Sequence, residues 1–241
     1  MILDFEYKTL DYIHINDGIV RLEWDHIWSN RGHHLGEGMI SPDEEWFYLN
    51  IPKNSSSSTK KTLDGLGWKF GNARDFPRSK KIVIMRDPVS RWVSGMSEYL
   101  MMYHQDTIDD IVSPMEYDCL PILGEKLGLA LLFDRMSFDD HTDRQAIFLH
   151  GIDLADSRWF LIDQHFNQRF VDFLHSLGYH NAVIYNENSS SQDSYESHKK
   201  QKLQDLLKYM IDHNQFYRYN LEKWFWPDYE LIERNISSVA R

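Results

Sequence analysis

Lys81-Ile82-Val83-Ile84-Met85-Arg86-Asp87-Pro88-Val89-Ser90-Arg91-Trp92-Val93-Ser94 carries the transition that decides the fold. The apolar, β-branched run from Ile82 to Met85 predicts a strand buried on both faces. Asp87 and Pro88 then supply N-cap and first-turn chemistry. Val89, Trp92, Val93, Met96, Leu100 and Tyr103 follow at the spacing of one buried helix face. The pattern recurs on either side. Upstream, Trp46-Phe47-Tyr48-Leu49-Asn50-Ile51 predicts a strand ended by Pro52, then a serine-rich turn and a short helix stopped at Gly65 or Gly67. Downstream, Trp159–Ile162 and Ala182–Tyr185 read as strands. Phe166, Phe170, Phe173, Leu174 and Leu177 mark a helix stopped by Gly178, and Leu203, Leu206, Leu207, Met210 and Ile211 the core face of a long one. Residues 1–45 alternate weakly and read as a hairpin or short strands on the sheet edge. Strands alternating with helices predict an α/β fold, a mostly parallel central sheet with helices on both faces. We expect a single domain over residues 1–241, with 1–45 as an N-terminal extension packed on the core.

The chain has 241 residues, 42% hydrophobic and 26% charged, which excludes a disordered polymer. No stretch approaches the roughly 18–20 uninterrupted apolar residues of a membrane span. The opening MILDFEYKTLDYIH has Asp4 and no basic run ahead of an apolar one, so it does not read as a signal peptide. Cys119 stands alone and forms no internal disulfide. A cytoplasmic protein is expected, with no membrane partner. The net charge of −11 argues against general nucleic-acid binding. The charge is polarised, however. Residues 53–91 hold ten Lys/Arg against Asp64, Asp75 and Asp87, whereas residues 92–125 hold no basic residue at all. A basic segment within an acidic chain points to a local anion site.

Two strand-to-helix turns lie in that segment, at the strand ends where α/β sheets bind ligands. In Ile51-Pro52-Lys53-Asn54-Ser55-Ser56-Ser57-Ser58-Thr59, small residues let the backbone curl around an anion, and the amides and hydroxyls supply donors. GxxxxGK[ST] is absent, so this is not a Walker A loop. In the second turn Arg86 leaves the strand and Ser94 lies two helical turns further on, a guanidinium fork plus a hydroxyl suited to a terminal phosphate.

Together, Pro-Lys-x-x-x-Ser-Ser after one strand and Arg-Asp-Pro-x-x-Arg-x-x-Ser after another resemble the sulfotransferase superfamily. The resemblance implies a P-loop-like sheet and the cofactor 3′-phosphoadenosine-5′-phosphosulfate (PAPS), released as adenosine 3′,5′-bisphosphate, with no metal. It assigns Lys53, Asn54, Ser55, Ser56, Ser57 and Ser58 to the 5′-phosphosulfate and Arg86 and Ser94 to the 3′-phosphate. Asp140-His141-Thr142-Asp143-Arg144-Gln145 looks like a compressed form of the Asp-x-His-x-x-x-Gln element of the Golgi carbohydrate sulfotransferases. Asn186-Glu187-Asn188-Ser189-Ser190 and Trp226-Pro227-Asp228-Tyr229-Glu230-Leu231 resemble two later elements of the same enzymes, so the likeness covers roughly residues 46–232. No counterpart of the Golgi enzymes' membrane anchor is expected here.

The implied reaction is in-line transfer of a sulfuryl group to a hydroxyl of a carbohydrate or small-molecule acceptor. Lys53 would steady the leaving oxygen. Many relatives place the base, a His or Glu, between the two loops, where this chain has only Asp64 and Asp75. His141 and Asp75 are therefore the candidates, ahead of His104 and His165. His33, His34 and Glu37 have ligand-like spacing without a third clear partner class, and no metal is expected there. A kinase using ATP and a non-catalytic nucleotide-binding module are the competing readings.

Overall fold

The computed structural model describes residues 13–16, 19–22, 35–104, 139–185 and 195–236. The described residues form two compact units, one of residues 13–16, 19–22, 35–87, 144–185 and 227–236, the other of 88–104, 139–143 and 195–226.

The first unit is built on a five-stranded sheet. Its strands are β3 (Glu37–Ile40), β4 (Trp46–Leu49), β5 (Lys69–Asn72), β6 (Lys80–Met85) and β7 (Ser157–Leu161), in the order β5-β3-β4-β6-β7. A separate antiparallel pair, β1 (Ile13–Asn16) and β2 (Ile19–Leu22), precedes it. β6 is apolar from Ile82 to Met85 because both its faces are covered. Val83 and Met85 join Phe47, Leu49 and Ile51 on one side, with Ala146, Phe148 and Leu149 from a 3-10 turn (Gln145–Leu149) and Leu231. Ile82 and Ile84 join Tyr48 and Met39 on the other, with Leu63, Phe166, Phe170 and Leu174. Those last residues come from α1 (Ser56–Gly65) and α3 (Phe166–Ser176), whereas Leu231 lies on α6 (Trp226–Asn235). Each fully buried Leu or Phe contributes about 1.5–3 kcal/mol.

The α/β class is thus present, but the sheet is mixed rather than mostly parallel. β4, β6 and β7 run parallel, whereas β3 is antiparallel to both of its neighbours, β4 and β5. The cause lies in residues 35–46. Ser41 and Asp43 fold the chain back on itself, with Ser41 N donating to Trp46 O (2.9 Å), Trp46 N to Ser41 Oγ (3.0 Å) and Glu45 N to Asp43 Oδ1 (3.1 Å). So short a connection permits only antiparallel pairing. The segment expected on the sheet edge therefore fills an inner position. β5 takes the edge, with Phe70 70% exposed.

Ala182–Tyr185, expected as a strand, joins no sheet among the described residues. Thr62 of α1 occupies its backbone instead, donating from Oγ1 to Val183 O (3.2 Å) and accepting from Tyr185 N (3.3 Å). The helix stop after α1 falls at Gly67, whose φ of +84° suits glycine. Its N–H donates to Asp64 O and that of Trp68 to Leu63 O, closing the helix by the two reverse bonds of a Schellman motif. The same pair closes α3 at Gly178.

The second unit packs α2 (Pro88–Tyr103) against α4 (Tyr195–His213) and α5 (Gln215–Trp224). Trp92, Val93, Met96 and Leu100 are buried, as are Leu203, Leu206, Leu207 and Ile211. Trp92 meets Tyr217 edge to face at 6.1 Å. Lys200 pairs with Glu98, and Gln204 Nε2 donates to Ser97 Oγ (3.1 Å). Among the described residues no helix is long and apolar enough to cross a membrane.

Lys81, at the start of β6, is buried with its ammonium caged by oxygens of Phe76 (3.0 Å) and Ser79. Burial holds its pKa below the ordinary lysine value, with Asp153 pulling weakly the other way. The unfolded chain therefore holds this proton more tightly than the folded one. The cost of burying the charge is relieved as pH rises through the lowered pKa towards 10.5. Urea unfolding across the alkaline range is expected to show wild type gaining stability relative to Lys81→Met as pH rises. A pH-independent difference would show that the cage carries no titrating charge.

Candidate functional site

The loop after β4 is held from beneath. Asn54 is fully buried, and its Nδ2 donates to Ile84 O (2.7 Å) and to Gln145 Oε1 (2.6 Å). On either side of it, Lys53 (φ 68°) and Ser55 (φ 56°) adopt the left-handed region. For a residue with a Cβ that conformation costs about 1–2 kcal/mol, so the two bonds of Asn54 are what hold the loop in shape. The strain turns the chain abruptly into α1. The first helical bond is Thr59 N to Ser55 O (2.9 Å), and no side chain caps the helix. The amides of Ser55, Ser56, Ser57 and Ser58 have no acceptor among the described residues, and no acidic residue occupies the first turn. A helix start in this state favours an anion.

Arg86 leaves the end of β6. Gln145 clasps its peptide on both sides, accepting from Arg86 N at Oε1 (2.9 Å) and donating from Nε2 to Arg86 O (2.9 Å). The half-buried guanidinium reaches the first loop, where Nη1 donates to Lys53 O (3.3 Å). Burial lowers its pKa, and Asp87 raises it in part. No carboxylate lies within ion-pair distance of it among the described residues. Its charge is therefore available to a ligand anion.

Gln145 is in turn set by Asp228 of α6, also fully buried. Asp228 Oδ2 accepts from Gln145 N (2.9 Å) and Oδ1 from Ala146 N (2.8 Å), so the carboxylate caps the 3-10 turn. Residues 54, 86, 145 and 228, far apart in the chain, thus form one buried network.

Ser94 and His141 belong to the second unit. Ser94 is half-buried in the second turn of α2. His141 sits in a turn closed by Asp139, which accepts at Oδ1 from the N–H groups of His141 (3.1 Å) and Thr142 (3.2 Å). Asp139 Oδ2 holds His141 Nδ1 at 2.9 Å, closer than Asp140 Oδ1 at 3.4 Å. The nearer acid is therefore Asp139, not the Asp140 of the sequence reading. Asp139, Asp140 and His141 bring three ligand-type atoms within 4.8 Å of one another, in a cluster already bonded internally. Buried Arg91 of α2 ties down this turn, donating from Nη1 to Asp143 O and from Nη2 to Asp140 O (3.1 Å). Gly95 lets the turn approach, since a Cβ there would lie 2.0 Å from His141 O.

Asp75 is exposed on the turn after β5, with β3 between that strand and β4. It makes no hydrogen bond or ion pair with Lys53 or Arg86. His104 ends α2 beside Tyr99 (ring centroids 5.7 Å apart), and His165 stands before α3 with its ring against Gln164 (3.1 Å). His33, His34, Cys119 and the Asn186–Ser190 element lie outside the described residues. Two features escaped the sequence reading. Asp139 was legible two residues before His141, and Arg91 lay within the Arg-Asp-Pro-x-x-Arg spacing. Glu37, read with His33 and His34 for its ligand-like spacing, starts β3. β3 places it directly across from Asn72 and beside Asn50, whose N–H donates to Glu37 O (2.8 Å), at the strand end where the Lys53 loop departs.

Comparison with family models, with curated proteins and with solved structures finds no match.

Alanine within a helix normally stabilises over glycine by about 1 kcal/mol. Gly95→Ala is expected to do the reverse, because the atom it meets is backbone, and to lower the urea midpoint. Asn54→Ala should cost about 1–3 kcal/mol by stranding buried polar partners, whereas Ser57→Ala, at an exposed position, should leave the midpoint unchanged.

Proposed function

We propose that this chain is a sulfotransferase that takes its sulfuryl group from PAPS and delivers it to a hydroxyl of a carbohydrate or small molecule. One observation carries the reading. Two loops leave adjacent parallel strands, one with open helix-start amides and one with a cation that makes no ion pair among the described residues, and Arg86 Nη1 joins them at Lys53 O. Donors of both kinds fit a nucleotide with phosphate-type groups at both its 5′ and 3′ positions.

In this reading Ser55 to Ser58 and the amides beside them hold the 5′ end, and Arg86 the 3′-phosphate. Bound PAPS supplies an activated sulfuryl group with adenosine 3′,5′-bisphosphate as the leaving group. Lys53 offsets charge on the oxygen that departs. His141 takes the acceptor proton at Nε2, and Asp139 fixes the ring by holding Nδ1. Asp75, exposed and unconnected to Lys53 or Arg86, has no part in it.

Calorimetric titration with adenosine 3′,5′-bisphosphate, ADP and ATP tests the cofactor assignment. Wild type should prefer the 3′,5′-bisphosphate, and Arg86→Ala should weaken it about 10- to 100-fold, the worth of a charged hydrogen bond. A preference for ATP would point to a kinase. His141→Gln should lower sulfuryl transfer from labelled PAPS by about 100-fold or more while leaving bisphosphate affinity within about twofold. Tight binding with no transfer to any acceptor would make the protein a nucleotide-binding module.

A further inference from the structure

We infer that Gln145 couples the two loops, so that an anion held by one strengthens the grip of the other. The inference rests on the two-anion reading above and goes beyond it by assigning a residue that touches neither anion. Gln145 is fully buried, and every hydrogen-bonding position of its amide is used. Oε1 accepts from Asn54 Nδ2 (2.6 Å) and Arg86 N (2.9 Å), while Nε2 donates to Arg86 O (2.9 Å) and Asp228 Oδ2 (3.4 Å).

Asn54 is the residue between the two left-handed positions that aim the first loop. The Arg86 peptide is the root of the second. One planar amide therefore fixes both, and neither loop can shift without breaking a buried bond of the other. An anion that orders one loop meets part of the ordering cost of the second. Coupling of this kind is reciprocal, and it falls within the usual 5- to 150-fold span for linked sites. Gln145 is thus a positioning residue. It makes the protein selective for a ligand with two anionic ends over one with either alone.

The test is a thermodynamic square with adenosine, 5′-AMP, 3′-AMP and adenosine 3′,5′-bisphosphate, read by calorimetry. In wild type the gain from both phosphates together should exceed the product of the separate gains by about tenfold. Gln145→Ala should bring that excess close to one. Gln145→Glu, which keeps the two acceptor positions and loses the donors, should also reduce it. Hydrogen exchange on the wild-type chain needs no variant. There 3′-AMP alone should slow exchange across residues 53–58 as well as at Arg86. Independent gains in wild type, an excess that survives in Gln145→Ala, or protection confined to one loop would each overturn the coupling while leaving the nucleotide reading intact. Absence of any nucleotide binding would overturn both.

Discussion

The buried amide of Gln145 is the constraint on which the sheet's ligand-facing end depends. An amide without partners in a protein interior costs about 1–3 kcal/mol for each stranded group, so its four bonds must all form at once. That requirement gathers Asn54, the Arg86 peptide and Asp228 around one point. Asp228 satisfies a second need at the same place, because its carboxylate takes the first two N–H groups of the 145–149 turn. Leu231, one turn further along α6, packs on the sheet beside Ala146 and Leu149. Polar and apolar contacts thus anchor the same C-terminal helix.

The strain in the first loop follows from this arrangement. Left-handed backbone at Lys53 and Ser55 persists because Asn54, between them, is pinned at two points. Its consequence is chemical. The chain enters α1 without a side-chain cap, leaving helix-start amides open where an ordinary helix would close them with its own serine or aspartate. The half-buried Arg86 guanidinium, bonded to a carbonyl rather than a carboxylate, keeps its charge in the same neighbourhood. Open donors and a half-buried cation with no ion pair among the described residues are costly to maintain, and a bound anion would satisfy both.

In the helical unit, the turn that carries His141 is positioned by the opposite strategy, close approach. Arg91 spends its guanidinium on the carbonyls of Asp140 and Asp143, and the bare α-carbon of Gly95 lets His141 O lie against α2. Asp139 then fixes the imidazole by its Nδ1. An arginine that a charge count would assign to a basic surface is fully buried and structural.

What the sequence by itself determined was local. The strands around Phe47 and Val83, the short helix after the serine run and the helix beginning at Pro88 were legible, because hydrophobic period and turn chemistry act within a few residues. The stop at Gly178 was legible for the same reason. So was the association of Lys53, the serine run and Arg86 with strand ends, as small and basic residues after apolar runs. Only the tertiary structure decided the rest. It turned residues 37–40 back beside β4 and made the sheet mixed, since Ser41 and Asp43 close a turn whose effect shows only once partners are in register. It drew Ala182–Tyr185 onto Thr62 instead of a sheet edge. It set Asp75 in solvent beyond β5 while bringing Gln145 and Asp228 into contact across more than eighty residues of chain. Hydrogen-bond satisfaction in a buried network is a property of the assembled interior, and no spacing along the chain encodes which distant groups will complete it.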